Sequence, residues 1–227
     1  MAKYLIHTCK EREWYVKDFL VPSMVKQGIE YKNIFIYIDS NCFGNLTACM
    51  NAFKEVSAFG DFDDITWHLQ DDVAISKEFK QYTEVDYESD IVCAFCTREQ
   101  IARPIGQVDP VDMWYSFQCI GIKNYIASGC VYWFALEGYK DKNIAKFVNK
   151  GLGDDEVFKY YCTNECSGLK VLNLIPNLVE HIDFLIGGST AAKGMPQRRA
   201  MYLKDGTEIV QNLMEELKQH ENQKNRN

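Results

Sequence analysis

Short apolar runs alternate with amphipathic stretches over the first hundred residues of the chain. Residues 4–8 and 33–38 are apolar and rich in Ile, Tyr and Phe, the composition of buried strands. Between them, 14–26 places Trp14, Val16, Phe19 and Leu20 toward a core at helical spacing. A second helix is expected over 45–59, with Asn45 as its cap, and the loop 60–64 leads into ITWHLQDDVAIS at 65–76. That run is an apolar strand with two adjacent acids, Asp71 and Asp72, toward its C-terminal end. Another buried strand is expected over 90–96, after an acidic connection (Glu84, Asp86, Glu88, Asp90) that reads as solvated surface. This alternation predicts an α/β fold, Rossmann-like, with a mostly parallel central sheet flanked by helices.

The pattern changes after Thr97. Pro104, Gly106 and Pro110 interrupt regular structure, and VDMWYSFQCIGIKNYIASGCVYWF reads as a meander of short strands and loops, suited to shaping a pocket rather than extending the sheet. A helix is expected from 151–155 through 163. Residues 172–186 follow, with Pro176, His181 and a Gly187–Gly188 turn. The last helix, 207–219, carries Ile209, Val210, Leu213, Met214 and Leu217 on one face, and the ending HENQKNRN reads as frayed. One domain in two halves is expected, 1–103 and 104–206, with 207–227 as terminal helix and tail.

Composition narrows the function classes. With 227 residues, 47% of them apolar, the chain can fill one sizeable core. Its net charge of -7 argues against affinity built on broad neutralisation of a nucleic-acid backbone, although a local basic patch is compatible with it. MAKYLIHTCKERE lacks a basic, then long apolar leader, and no window has the length of a membrane span, so a cytoplasmic protein is expected. Nine cysteines, an odd number, point to reduced thiols. Cys93 and Cys96 in DIVCAFC would face opposite sides of a strand, a poor chelating geometry. A four-thiolate zinc site with Cys162 and Cys166 is the alternative to buried structural cysteines.

Adjacent carboxylates in an apolar run call for positive charge, and a divalent metal is the usual source. Thr8, Lys10, Glu11 and Arg12 follow the first strand and Asp39 ends the second, so several polar groups gather where open α/β sheets bind ligands. Together these residues resemble the nucleotide-sugar half of a GT-A type glycosyltransferase. The resemblance implies that Thr8, Lys10, Glu11, Arg12, Asp39 and Asp71 contact the donor and that Asp72 binds the metal. LQDD departs from the strict DxD of that family, leaving open which acid is the ligand. In GDDEVF, Asp154 and Asp155 open a helix, where inverting members carry a general base; acids in a first turn also simply complement the helix dipole. NLIPNLVEHIDFLIGGS, with its PNLVEH pattern, resembles a phage and bacterial group of these enzymes and implies His181 as a second metal ligand. Arg198 and Arg199, with Lys193, lie in AAKGMPQRRA and would carry charge to the diphosphate. Trp114 and Tyr115 would stack on an acceptor, whereas His7 and His68 read as core residues.

The resemblance spans most of 3–203 and rests on LQDD, GDDE and PNLVEH in order. It implies a glycosyltransferase dependent on Mn2+ or Mg2+, with inversion favoured over retention, acting on an acceptor hydroxyl. A hydroxymethylated pyrimidine of phage DNA, in the host cytoplasm, is one acceptor class; surface polysaccharide or a small molecule is another. Two other classes stay open. A nucleotidyltransferase usually carries a glycine-rich phosphate loop after the first strand, and HTCKEREW has no glycine. A non-catalytic nucleotide-sugar-binding module would tolerate loss of the acids.

Overall fold

The computed structural model describes residues 2–41, 44–56, 60–97, 102–114, 117–148, 153–187, 199–203 and 206–224. A seven-stranded mixed sheet forms its centre, in the order β2-β1-β3-β7-β5-β8-β6. Its strands are β1 Lys3–Cys9, β2 Ile34–Asp39, β3 Ile65–Gln70, β5 Ile91–Cys93, β6 Gly106–Val108, β7 Cys119–Lys123 and β8 Val171–Asn173. All run the same way except β6 and β7, which are antiparallel to their neighbours. The expected α/β architecture, a mostly parallel sheet between helices, is therefore present. A separate two-stranded ladder pairs β4, Val73–Ile75, with β9, Val179–His181.

Alternation along β1 explains why both faces are covered. Leu5 packs into one core layer with Phe53, Ile122, Trp133 and Phe158, whereas Tyr4 and Ile6 pack into the other with Trp67, Leu69 and Phe79. Helices α2 (Asn45–Val56), α4 (Asn124–Leu136) and α5 (Asp154–Asn164) supply side chains to the first layer. The second is closed by α1 (13–26), the short helix α3 (Phe79–Thr83) and α7 (Gly206–Lys224). Within α1 the turn Val16–Leu20 is π-helical, and it buries Val16, Phe19 and Leu20.

Several expectations need correction. The run 65–76 is two strands, not one: β3 ends at Gln70 and β4 starts at Val73, with Asp71 and Asp72 as the joint. Asn45 is already helical. The Ala48 amide donates to the Gly44 carbonyl (3.0 Å), which puts the cap at Gly44. Beyond Val56, residues 57–59 lie outside the described residues. Regular pairing in 90–96 stops at Cys93, so Cys93 and Cys96 enter the same core layer instead of opposite faces. Asp90 is half-buried and paired with Lys123 (2.9 Å), unlike its exposed acidic neighbours.

The meander is the largest departure. β7 lies in the middle of the sheet, between β3 and β5, and residues 124–136 form a helix. That helix carries no charged residue, so no polar face marks its period. Its start is pinned by Asn124, which accepts a hydrogen bond from Thr66 Oγ1 (2.8 Å) and donates to the Asp61 carbonyl (2.9 Å). At the C-terminus, α7 runs on to Lys224 instead of fraying. His220 stacks on Trp14 and lies 3.3 Å from Asp18. Val210 and Leu213 are buried as expected, but Met214 is exposed. Among the described residues, no helix is long and apolar enough to cross a membrane.

His68 is buried against the Phe53 ring, and its Nδ1 lies 3.4 Å from Nε2 of the half-buried His7. Burial holds His68 well below the usual histidine range, with His7 adding to the effect, and brings His7 down to about 4. Both groups bind protons more readily when unfolded. Their contribution to stability is complete above pH 6.5 and is lost as pH falls toward 4. Urea midpoints measured from pH 7 to 5 should fall for the native chain, and fall less for His7→Gln/His68→Gln. Parallel curves would remove this account.

Candidate functional site

The C-terminal ends of β1, β2 and β3 lie side by side. Cys9 pairs with Asp39 across β1 and β2, and His7 pairs with Gln70 across β1 and β3. The acids following Gln70 therefore sit at the carboxyl edge of the sheet, beside the turn after β1. That turn carries Arg12. Its Nε and Nη2 reach the two Asp71 oxygens at 2.9 and 2.8 Å, a bidentate pair, and Nη1 lies 3.4 Å from Asp72 Oδ2. The Cys9 amide adds a 3.3 Å hydrogen bond to Asp71 Oδ2. Asp71 is 1% exposed; burial pushes its carboxyl up, Asp72 beside it adds to the rise, and Arg12 opposes both.

Asp72 meets a second element because of strand register. β4 and β9 run antiparallel with Val73 opposite His181, and the Ile182 amide donates to the Asp72 carbonyl (2.8 Å). This places His181 Nε2 3.3 Å from Asp72 Oδ2, and His181 Nδ1 3.3 Å from Asp183 Oδ1. The ring is fully buried. Both nitrogens are at ion-pair distance from a carboxylate, yet neither has hydrogen-bond geometry to any group. Two orphaned ring nitrogens in a buried site between acids are an observation that a bound cation would explain.

A divalent metal fits this donor set in part. Among the described residues no three His, Cys, Asp or Glu side chains converge to hold a metal by themselves. Asp72 and His181 supply an oxygen and an imidazole nitrogen at a separation of 3.3 Å, close to the roughly 3 Å between adjacent ligands of a six-coordinate cation. Remaining positions would fall to phosphate oxygens and water, the usual arrangement for Mg2+.

The other expected residues are distributed unevenly. Thr8 is buried at the end of β1, its hydroxyl donating to the Cys9 carbonyl (3.1 Å). Lys10 and Glu11 are exposed on the following turn. Asp39 is buried at the end of β2, with Oδ1 lacking a hydrogen-bond partner. Asp154 and Asp155 open α5 after Gly153, whose φ of 79° lies in the left-handed region. Asp154 is buried, and Asp155 Oδ1 accepts the Glu156 amide (2.9 Å). Both are near enough to Cys49, in the first half of α2, to help raise its thiol, whose main shift comes from burial. Since α2 follows β2, this places them toward the same edge of the sheet, on the face opposite the β4–β9 ladder.

Trp114 is a correction. It is 1% exposed and packed in the core, so it has no face to offer an acceptor. Arg199 is exposed and lies 3.6 Å from the buried Glu180. Tyr115, Lys193 and Arg198 lie outside the described residues.

Two residues escaped the sequence reading. Glu180, 1% exposed, accepts the Ala200 amide (2.9 Å) and the His181 amide (3.2 Å), and burial pushes its carboxyl up. Asp183 is the other, equally buried. Their signal was available. VEHID sets two acids around the histidine in an apolar run, the same anomaly that drew attention to Asp71 and Asp72.

The sequence matches no protein-family model and no curated protein. Among solved structures, the chain is similar to the galactosyltransferase LgtC in complex with donor and acceptor sugar analogues. Identity is 9%, coverage 80% of this chain and 87% of that one, and the TM-score 0.47. It is also similar to the apo form of the glycosyltransferase GlyE of Streptococcus pneumoniae TIGR4, with 10% identity over 76% of this chain and a TM-score of 0.43. The chain spans 45% of GlyE. At these values neither likeness says anything about activity.

Magnitudes separate Arg12 from ordinary surface cations. Stripping the partner from a buried carboxylate pair is worth about 3–5 kcal/mol, reduced here to about 2–3 because Arg12 keeps 21% exposure. The exposed Lys77–Glu208 pair (2.6 Å) belongs to the class worth at most about 1 kcal/mol. Arg12→Met should therefore lower the melting temperature by roughly 5–10 °C and Lys77→Met by less than about 3 °C. Equal shifts in the two variants would contradict the assignment.

Proposed function

We propose that the protein is a metal-dependent glycosyltransferase of GT-A type that moves a sugar from a nucleotide-sugar donor to an acceptor hydroxyl. One observation carries this reading. At the carboxyl edge of an α/β sheet, Asp72 and the orphaned Nε2 of buried His181 converge beside the Asp71–Arg12 pair. The resemblance of LQDD, GDDE and PNLVEH to that family agrees with it.

Asp72 and His181 would hold Mn2+ or Mg2+, which supplies positive charge to the leaving diphosphate. Arg12 stands next to that position and can share its charge between Asp71 and a phosphate oxygen. Buried Asp39, with an unpartnered oxygen at the end of β2, is suited to accept a hydroxyl of the donor's ribose. Thr8 and Cys9 end β1 beside Ile38 and Asp39 of β2. On the α2 side, Asp154 or Asp155 would take the proton of the attacking hydroxyl, giving inversion. In this scheme residues 1–103 carry most donor contacts and 104–206 the acceptor side. Trp114 is buried and the net charge is -7, so neither an exposed aromatic at that position nor overall charge favours a DNA acceptor.

Donor turnover supplies the test. Hydrolysis of a panel of nucleotide sugars should require Mn2+ or Mg2+. Asp72→Asn should lower it at least a hundredfold and weaken the metal response, whereas Asp155→Asn should impair transfer to an added acceptor more than donor hydrolysis. Metal-independent turnover, unchanged in Asp72→Asn, would remove the mechanism. Donor binding without turnover would favour a binding module.

A further inference from the structure

We infer that Asp183 is a positioning residue that fixes the tautomer and orientation of His181, so that Nε2 presents its lone pair toward the oxygen of Asp72. The inference rests on the reading of His181 as a metal ligand and adds a residue that reading does not contain.

His181 closes β9, Ile182 makes the turn, and Asp183 begins the one-turn helix α6, Asp183–Ile186. This spacing puts a carboxylate beside the inner nitrogen of the ring, with Asp183 Oδ1 3.3 Å from Nδ1. The opposite nitrogen faces Asp72 Oδ2 at the same distance. A carboxylate beside Nδ1 favours the N–H there and leaves Nε2 unprotonated, as a ligand must be. The Phe95 ring lies 6.4 Å from the imidazole, and the Ile182 amide ties the backbone to Asp72, so the strand end that carries the ring is held beside the acid.

A purely local role for Asp183 fits less well. Acids at helix starts complement the helix dipole, but one turn of helix has little dipole, and such acids are typically exposed. Asp183 is 1% exposed, although it stands in the first turn of α6. Burying a carboxylate for a weak surface effect is unfavourable; burying it to polarise an imidazole is how histidine ligands are commonly supported. The 3.3 Å contact lacks hydrogen-bond geometry, and a small rotation of the ring would close it when Nε2 engages a cation.

Mn2+ alone is the probe, read by titration calorimetry and by the nitrogen coupling in its electron spin-echo spectrum. Native protein should bind Mn2+ with a nitrogen coupling that disappears in His181→Gln. Asp183→Asn should bind ten- to a hundredfold more weakly, with the coupling diminished, while its circular dichroism stays native. Native affinity and coupling in Asp183→Asn would overturn the inference. Mn2+ binding without nitrogen coupling in the native protein would instead overturn the reading of His181 as a ligand. Should Asp183→Asn not fold, Asp183→Glu replaces it: a carboxylate displaced by one methylene should give intermediate affinity and coupling, and unchanged values would again overturn the inference.

Discussion

Two carboxylates next to each other in sequence and buried at the end of a strand impose the condition that organises this molecule. Neither Asp71 nor Asp72 can remain ionised there without nearby positive charge, because the desolvation of a carboxylate far exceeds what backbone amides return. The turn after β1 brings Arg12 back over the sheet edge to meet that need, and β9 lies alongside β4 with His181 facing Asp72. Much of the local architecture follows. The break between β3 and β4 falls at the acid pair, the β4–β9 ladder stands apart from the main sheet, and the Asp72 carbonyl is taken up by Ile182.

The same condition divides the labour of the two acids. Asp71 is held by Arg12 through both oxygens and by the Cys9 amide, which commits it to the structure. Asp72 has a longer contact with Arg12 and faces an imidazole, so it is the acid better placed to meet a cation. Adjacent acids are thus given different partners. One anchors the arginine and the other faces the imidazole.

Residues 4–39 and the acid pair were legible because strand and helix periods are clean there and the acids stand against an apolar background. The stretch 111–136 was opaque for a physical reason. β7 is buried on both faces and α4 carries no charge, so neither shows the polar alternation that distinguishes strand from helix. Composition likewise misled over Trp114, an aromatic residue that fills the core, and over the C-terminal tail, whose polar helix is held by Trp14 and Asp18. Asp183 is visible in VEHID as an acid in an apolar run, but which carboxylate stands beside the imidazole depends on a turn geometry that spacing alone does not specify.

The position of β5 has a consequence for how the protein is made. Its sheet neighbours, β7 and β8, both come from later in the chain, so β3 and β5 emerge from the ribosome with unpaired edges and stay so until the intervening antiparallel strand arrives. β5 acquires its second neighbour only when synthesis has passed Asn173, on the order of ten seconds after Cys93 at ordinary rates. During that interval the apolar IVC strand is a target for chaperones and for other nascent copies. The centre of the sheet is therefore completed late in synthesis, by a strand that lies 80 residues beyond the one it joins.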